Sequence, residues 1–217
     1  MKKLNGFQRI GPHPLDILSI IYGGLLGDVS SERRSFTTLN GVKIGNTRFC
    51  FKQGSPNVQY LLHNWKVFSS LGYCSNIKPK IKKSIGKKNK VYFHIRFTTW
   101  TYASFNFIHD LFYVKNKKII PQYDILYKII TPLALATWIM DDGSKRIGGG
   151  VLLHTNCFTH DEVKRLAKLL NEKFNLKTSV RCNKYFLLYI KKESMGLLRS
   201  IVSEYFSLDM MRKLEDS

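Results

Sequence analysis

Two stretches of this 217-residue chain are apolar with hardly a polar stripe. Residues 14–27, "PLDILSIIYGGLLG", open on a proline suited to a first helical turn and predict a buried helix that ends at Asp28. Residues 131–143, "TPLALATWIMDDG", repeat the plan, with Thr131 as N-cap, Pro132 in the first turn, an apolar body, and Asp141, Asp142 and Gly143 at the close. After the first helix come strand-like segments, "TRFCFKQ" and "VYFHIRFTTW", and helical stretches over 56–71 and 102–113. After the second come strands "GGGVLLHTN" and "YFLLYIKK", with closing helical residues over 195–206. Between those strands lies the amphipathic "THDEVKRLAKLLNEKFN", whose Val163, Leu166, Leu169 and Leu170 share one face. The order predicts an α+β fold of two pseudo-symmetric αββαββα halves, 1–114 and 131–217, joined by a linker over 115–130.

Gly23 and Gly27 interrupt the first apolar helix, and each glycine costs roughly 1 kcal/mol against alanine in a helix interior. A face small enough to let another backbone approach would offset that cost. In residues 90–99 strict alternation sends Val91, Phe93, Ile95 and Phe97 toward a core and Lys90, Tyr92, His94, Arg96 and Thr98 to the opposite side. The adjoining "KPKIKKSIGKKNK" makes that second side a surface for nucleic acid, since a two-stranded ribbon fits the major groove and lysines neutralise phosphates.

Charge strengthens this reading. The chain carries +20, and between Glu32 and Asp110 there are fourteen Lys and Arg but no acidic residue. The cationic and polar positions expected on the nucleic acid are Arg33, Arg48, Lys52, Lys80, Lys82, Lys90, Tyr92, His94 and Arg96 in the first half and Arg146, Arg181 and Lys184 in the second. Cys50, Cys74, Cys157 and Cys182 lie too far apart for a zinc site and are expected as reduced thiols. No apolar run reaches membrane-spanning length, and "MKKLNGFQRIGPHP" has no signal-peptide core, so a soluble protein made where it works is expected.

A carboxylate at a helix C-terminus faces the negative end of the macrodipole, at a cost of ~0.3 to 1 kcal/mol. Two such ends brought together concentrate negative charge, which a divalent cation would relieve. Hard oxygen ligands favour Mg²⁺, and paired acids beside bound nucleic acid suit metal-assisted phosphodiester hydrolysis.

"IYGGLLGDV" and "LATWIMDDG" resemble the two copies of the motif that names the LAGLIDADG homing endonucleases of the single-chain type, and the resemblance runs over nearly the whole chain. With "NKKIIP" before the second copy and "MMRKL" near the end, the chain is similar to the yeast mitochondrial intron-encoded type. The resemblance implies antiparallel DNA-binding sheets and motif helices packed through Gly23 and Gly27 at a pseudo-twofold interface. It implies Asp28 and Asp142 as the catalytic metal ligands, with Asp141 facing elsewhere. Lys118 and Lys213 would border the metal site, and Gln53 and Asn156 would hold solvent near it. The implied cofactor is Mg²⁺, with Mn²⁺ able to substitute, and the implied partner is a long asymmetric DNA duplex cut by a monomer. Intron RNA splicing by a maturase, and DNA binding without cleavage, are the alternatives on the same fold. Departures from the motif are Gly27 in place of alanine and Thr137 and Trp138 in place of glycine and leucine. Residue usage rich in Lys, Ile, Asn, Phe and Tyr suggests an AT-rich gene, and with the resemblance it points to an intron of mitochondrial or chloroplast DNA, or otherwise to a microbial cell.

Overall fold

The computed structural model describes residues 9–37, 43–86 and 89–215. Lys87 and Lys88 of the lysine-rich run, and the first eight residues, fall outside that set. The first half follows the expected order: α1 (Leu15–Leu26), β1 (Ser30–Thr37), β2 (Lys43–Gly54), α2 (Val58–Ser70), β3 (Lys82–Ile85), β4 (Val91–Thr98) and α3 (Asn106–Phe112). A short hairpin, β5 (Tyr113–Val114) and β6 (Lys117–Lys118), and the helix α4 (Tyr123–Ile129) come next. The expected linker is therefore largely structured, with Leu126 and Ile130 fully buried. The second half is α5 (Pro132–Asp142), β7 (Gly143–Lys145), β8 (Val151–Leu153), α6 (His160–Phe174), β9 (Thr178–Cys182), β10 (Phe186–Ile190) and α7 (Met195–Val202). The closing helix is α-helical only to Val202, and 3-10 turns at Ser203–Tyr205 and Leu208–Lys213 continue the chain.

Both halves build the same antiparallel sheet, β1-β2-β4-β3 and β7-β8-β10-β9. By packing, however, the described residues form two compact units that differ from the sequence halves. One holds residues up to 14 together with 29–111, and the other holds 15–28 together with 112–217. The first unit lays α2 and α3 against one face of its sheet, around an aromatic core in which Phe51 and Phe97 stack at 4.7 Å between ring centroids. His13 is part of that core, bonded to Tyr73 and Ser104 at 2.8 Å each.

In the second unit α6 covers the sheet. Its N-cap, Thr159, accepts from the Glu162 amide while the Glu162 carboxylate reaches back to the Thr159 amide, a full capping box. Thr131 caps α5 as expected, accepting from the Ala134 amide and donating to Ser19 of α1 at 2.8 Å. α1 and α5 lie against each other so closely that a Cβ on Gly23 would sit 2.1 Å from the Ala134 carbonyl oxygen, and one on Gly27 2.6 Å from Asp141 Cβ. Gly23 within α1 and Gly27 in the turn just past its end both serve this close approach. All four cysteines are free, and among the described residues no helix is long and apolar enough to cross a membrane.

Candidate active site

The site grows from the C-terminal ends of α1 and α5, both in the second unit. A turn in which the Gly27 amide donates to the Gly24 carbonyl (3.0 Å) ends the first helix and delivers Asp28 to the surface. At the end of α5, Asp141 is buried and Asp142 half-buried. The Asp142 carboxyl is pushed up to about 7, first by burial and then by the charge of Asp28, against the opposing pull of Lys118 and Lys213. The structure thus brings Asp28, Asp142, Lys118 and Lys213 into one electrostatic cluster. Asp141 points to the helix packing, beneath Gly27.

Each lysine serves one helix end. The Lys118 ammonium donates to the Gly27 carbonyl at 2.8 Å. Lys213, only 7% exposed, donates to the carbonyls of Met140 at 2.5 Å, Ile139 at 3.2 Å and Asp141 at 3.4 Å. A cation on the orphan carbonyls of a helix C-terminus is favourable, and here it offsets the unfavourable carboxylate placed at the same end. Burial lowers both ammonium groups, Lys213 to about 8, while the neighbouring carboxylates oppose the shift. The sequence motifs "NKKIIP" and "MMRKL" carry no sign of this capping geometry.

Asn156 is exposed on the turn that follows β8, closed by the Phe158 amide donating to Thr155 at 3.1 Å. Its neighbour Cys157, which no motif singles out, is close enough for its thiol to feel Lys118 and Asp142. Gln53 belongs to the first unit, where it is buried and its Oε1 accepts from Asn57 Nδ2 at 2.9 Å.

The sheet of the first unit has one helix-covered face and one open face, and register assigns each side chain. Phe97 pairs with Phe51 and Ile95 with Gln53 on the covered face, while Arg96 pairs with Lys52 on the open face. Lys82 pairs with His94 and Ser84 with Tyr92, also on the open face. His94 is lowered by desolvation first and then by Lys52, Arg96 and Lys82, so these cations share one patch. Lys80 and Lys90 are exposed, with the Lys90 ammonium 5.5 Å from the Tyr92 ring centroid.

Two of the named arginines are held by acids of the same chain. Arg33 pairs with Thr47 on the helix side and forms an ion pair with Asp110 at 2.9 Å, so Arg34, one residue on, takes the open face in its place. Arg48 does lie on the open face, but its guanidinium is joined to Glu32. The parity of "SSERRSFT" is not readable because neither set of alternating positions is apolar. Val91 and Phe93 also depart from expectation, at 44% and 51% exposed, since only Ile95 and Phe97 of β4 reach over the core.

In the second unit, Arg146 and Arg181 lie 5.0 and 4.5 Å from the ring centroid of Tyr189, whose hydroxyl donates to the Gly149 carbonyl at 2.9 Å. Alternation within "YFLLYIKK" could have singled out Tyr189. Lys184 stands in the exposed β9–β10 turn, against Tyr185.

Residues 18–198 match the LAGLIDADG DNA endonuclease family. The chain is 43% identical to cytochrome b mRNA maturase bI2 of Saccharomyces cerevisiae over 95% of its own length, and spans 49% of that relative. It is 35% identical to intron-encoded endonuclease ai4 of Dictyostelium discoideum, over 69% of this chain and 97% of the relative. Among solved structures, the homing endonuclease I-WcaI bound to its DNA recognition sequence superposes with a TM-score of 0.84 at 26% identity, covering 96% of this chain and 89% of that one.

Proposed function

The chain belongs to the LAGLIDADG DNA endonuclease family, and from that membership we propose that it is a site-specific endonuclease that hydrolyses both strands of a DNA duplex with a divalent metal ion. The observation that carries this reading is the cluster of Asp28 and Asp142 at adjoining helix ends, each end capped by its own lysine. Binding alone needs no carboxylate pair beside phosphates. Cations for phosphate contact come from each unit, Lys52, Lys82, His94 and Arg96 on the sheet of the first and Arg146 and Arg181 against Tyr189 in the second. Both carboxylates and both sheets lie in one chain, which suits a monomer on an asymmetric target.

The residues fit a divalent cation. Asp142 retains its proton to about pH 7 because burial and Asp28 leave its negative charge under-compensated, and added positive charge would relieve that penalty. Asp28 and Asp142 would be the ligands. Two carboxylates leave much of an octahedral shell to water and phosphate oxygens, as Mg²⁺ prefers, and Mn²⁺ takes the same donors. Such an ion supplies Lewis-acid stabilisation of charge on the scissile phosphate. The chain's own groups then divide the remaining work. Lys118 and Lys213 hold the helix ends and set a positive field around the acids, and the sheet cations hold the duplex in register.

A second reading follows from the relatives, since the Saccharomyces cerevisiae protein is named a cytochrome b mRNA maturase. The same scaffold would then assist splicing of the intron that encodes it, and an organellar intron is the origin that such relatives support. Incubating the chain with a randomised duplex library, with Mg²⁺ or with chelator, and sequencing the ends tests the nuclease reading. A discrete set of cut sites that needs Mg²⁺ is expected, and intact DNA in both arms would leave the maturase reading.

A further inference from the structure

The two lysines are themselves held, and by the same device. Two residues beyond Lys118, the Ile120 amide donates to Glu162 Oε1 at 2.9 Å, and Arg165 of α6 donates to the Ile120 carbonyl at 2.7 Å and to Pro121 at 3.0 Å. One residue beyond Lys213, Arg199 of α7 donates from Nε to the Leu214 carbonyl at 2.8 Å. Ile120 and Leu214 are each only 2% exposed, so neither carbonyl has bulk water as a ready substitute. In both cases a half-buried arginine on a helix of the second half fixes the backbone just downstream of the lysine that caps a motif helix.

We propose that Arg165 and Arg199 are positioning residues, each setting one active-site lysine and, through it, the acid-bearing end of one motif helix. This rests on the nuclease reading above. Arg165 acts through Lys118 on the α1 end that carries Asp28, and Arg199 acts through Lys213 on the α5 end that carries Asp142. Two strands must be cut and there are two such assemblies, so each arginine biases one strand. A purely structural role for these arginines would weaken the whole molecule and slow both strands together.

The test follows both strands of a doubly labelled duplex, chosen from a randomised library by wild-type cleavage, under single turnover. Arg165→Ala and Arg199→Ala should each bind that duplex about as well as wild type. Each should slow one strand by about 10- to 100-fold more than the other, since small misplacements of an active-site group cost that much. The slowed strand should differ between the two variants, so that nicked duplex accumulates. Arg165→Lys and Arg199→Lys, which keep a donor, should show the same strand bias in weaker form and replace an alanine variant that fails to fold. Equal slowing of both strands, unchanged rates, or the same strand slowed by both variants overturns the proposal while leaving the nuclease reading intact. Failure of the wild type to cut any duplex removes the nuclease reading, and the proposal with it.

Discussion

Asp142 holds its proton to about pH 7 in the folded chain, against 3.8 ordinarily, so between those values the folded state binds more protons than the unfolded state. Its contribution therefore favours folding at low pH and is lost as pH rises from about 4 to about 7. Lys213, lowered from 10.5 to about 8, acts in the opposite sense, and its contribution recovers as pH rises through that range. In metal-free protein, the stability difference between wild type and Asp142→Asn should accordingly move against the wild type from pH 5 to pH 7.5 in thermal unfolding. Mg²⁺ should raise the wild-type midpoint more at pH 7.5 than at pH 5.5, and a pH-independent difference would contradict the burial of Asp142. On β4, Arg96→Ala should cost ~1 to 3 kcal/mol of discrimination at one or two base pairs with little effect on folding. Ile95→Ala, at 1% exposure, should cost ~2 to 5 kcal/mol of stability without changing base preference. Phe93 is half exposed, so its alanine variant should unfold close to wild type, whereas alternation alone would have grouped it with Ile95. Binding selections and thermal unfolding of the three variants separate these outcomes.

At the scale of elements, legibility in the sequence tracks how much local chemistry marks each segment. α5 and α6 carry N-cap threonines whose side chains accept from the first-turn amides, as expected for Thr131, and α6 has a clear apolar face. α4 carries little that marks it as a helix in the sequence, since it is seven residues long, has no side-chain cap and buries only Leu126 within its span. The acids were legible as helix ends. The capping by Lys118 and Lys213 was not, because it depends on carbonyls about 70 to 90 positions away in the chain. Gly23 offers the sharpest element-scale test. Alanine ordinarily gains up to about 1 kcal/mol over glycine in a helix interior. Here its Cβ would meet the Ala134 carbonyl at 2.1 Å, so α1 and α5 must separate, at a cost of roughly 1 to 3 kcal/mol. Gly196→Ala on α7 is the control, since a Cβ there meets nothing within 4 Å. Thermal unfolding should show Gly23→Ala lowered and Gly196→Ala unchanged or raised, and a stabilised Gly23→Ala would contradict the packing of the motif helices.

For the whole molecule, a net charge of +20 predicts that association with the proposed DNA partner depends strongly on salt. Neutralising roughly six phosphates would lower affinity steeply between low and physiological salt through counterion release, and a nearly flat titration would rule out that contribution. The proposed function requires that Asp28 and Asp142 together cut a duplex which the cations of the two units hold. Its most direct measurement is cleavage of a library-selected duplex by Asp28→Asn and Asp142→Asn with Mg²⁺ present, with affinity measured on the same DNA. Either substitution should abolish double-strand cutting while binding stays near the wild-type level, because removing a negative charge beside phosphate does not weaken association. Full double-strand cutting by either variant would remove that acid from the proposed site.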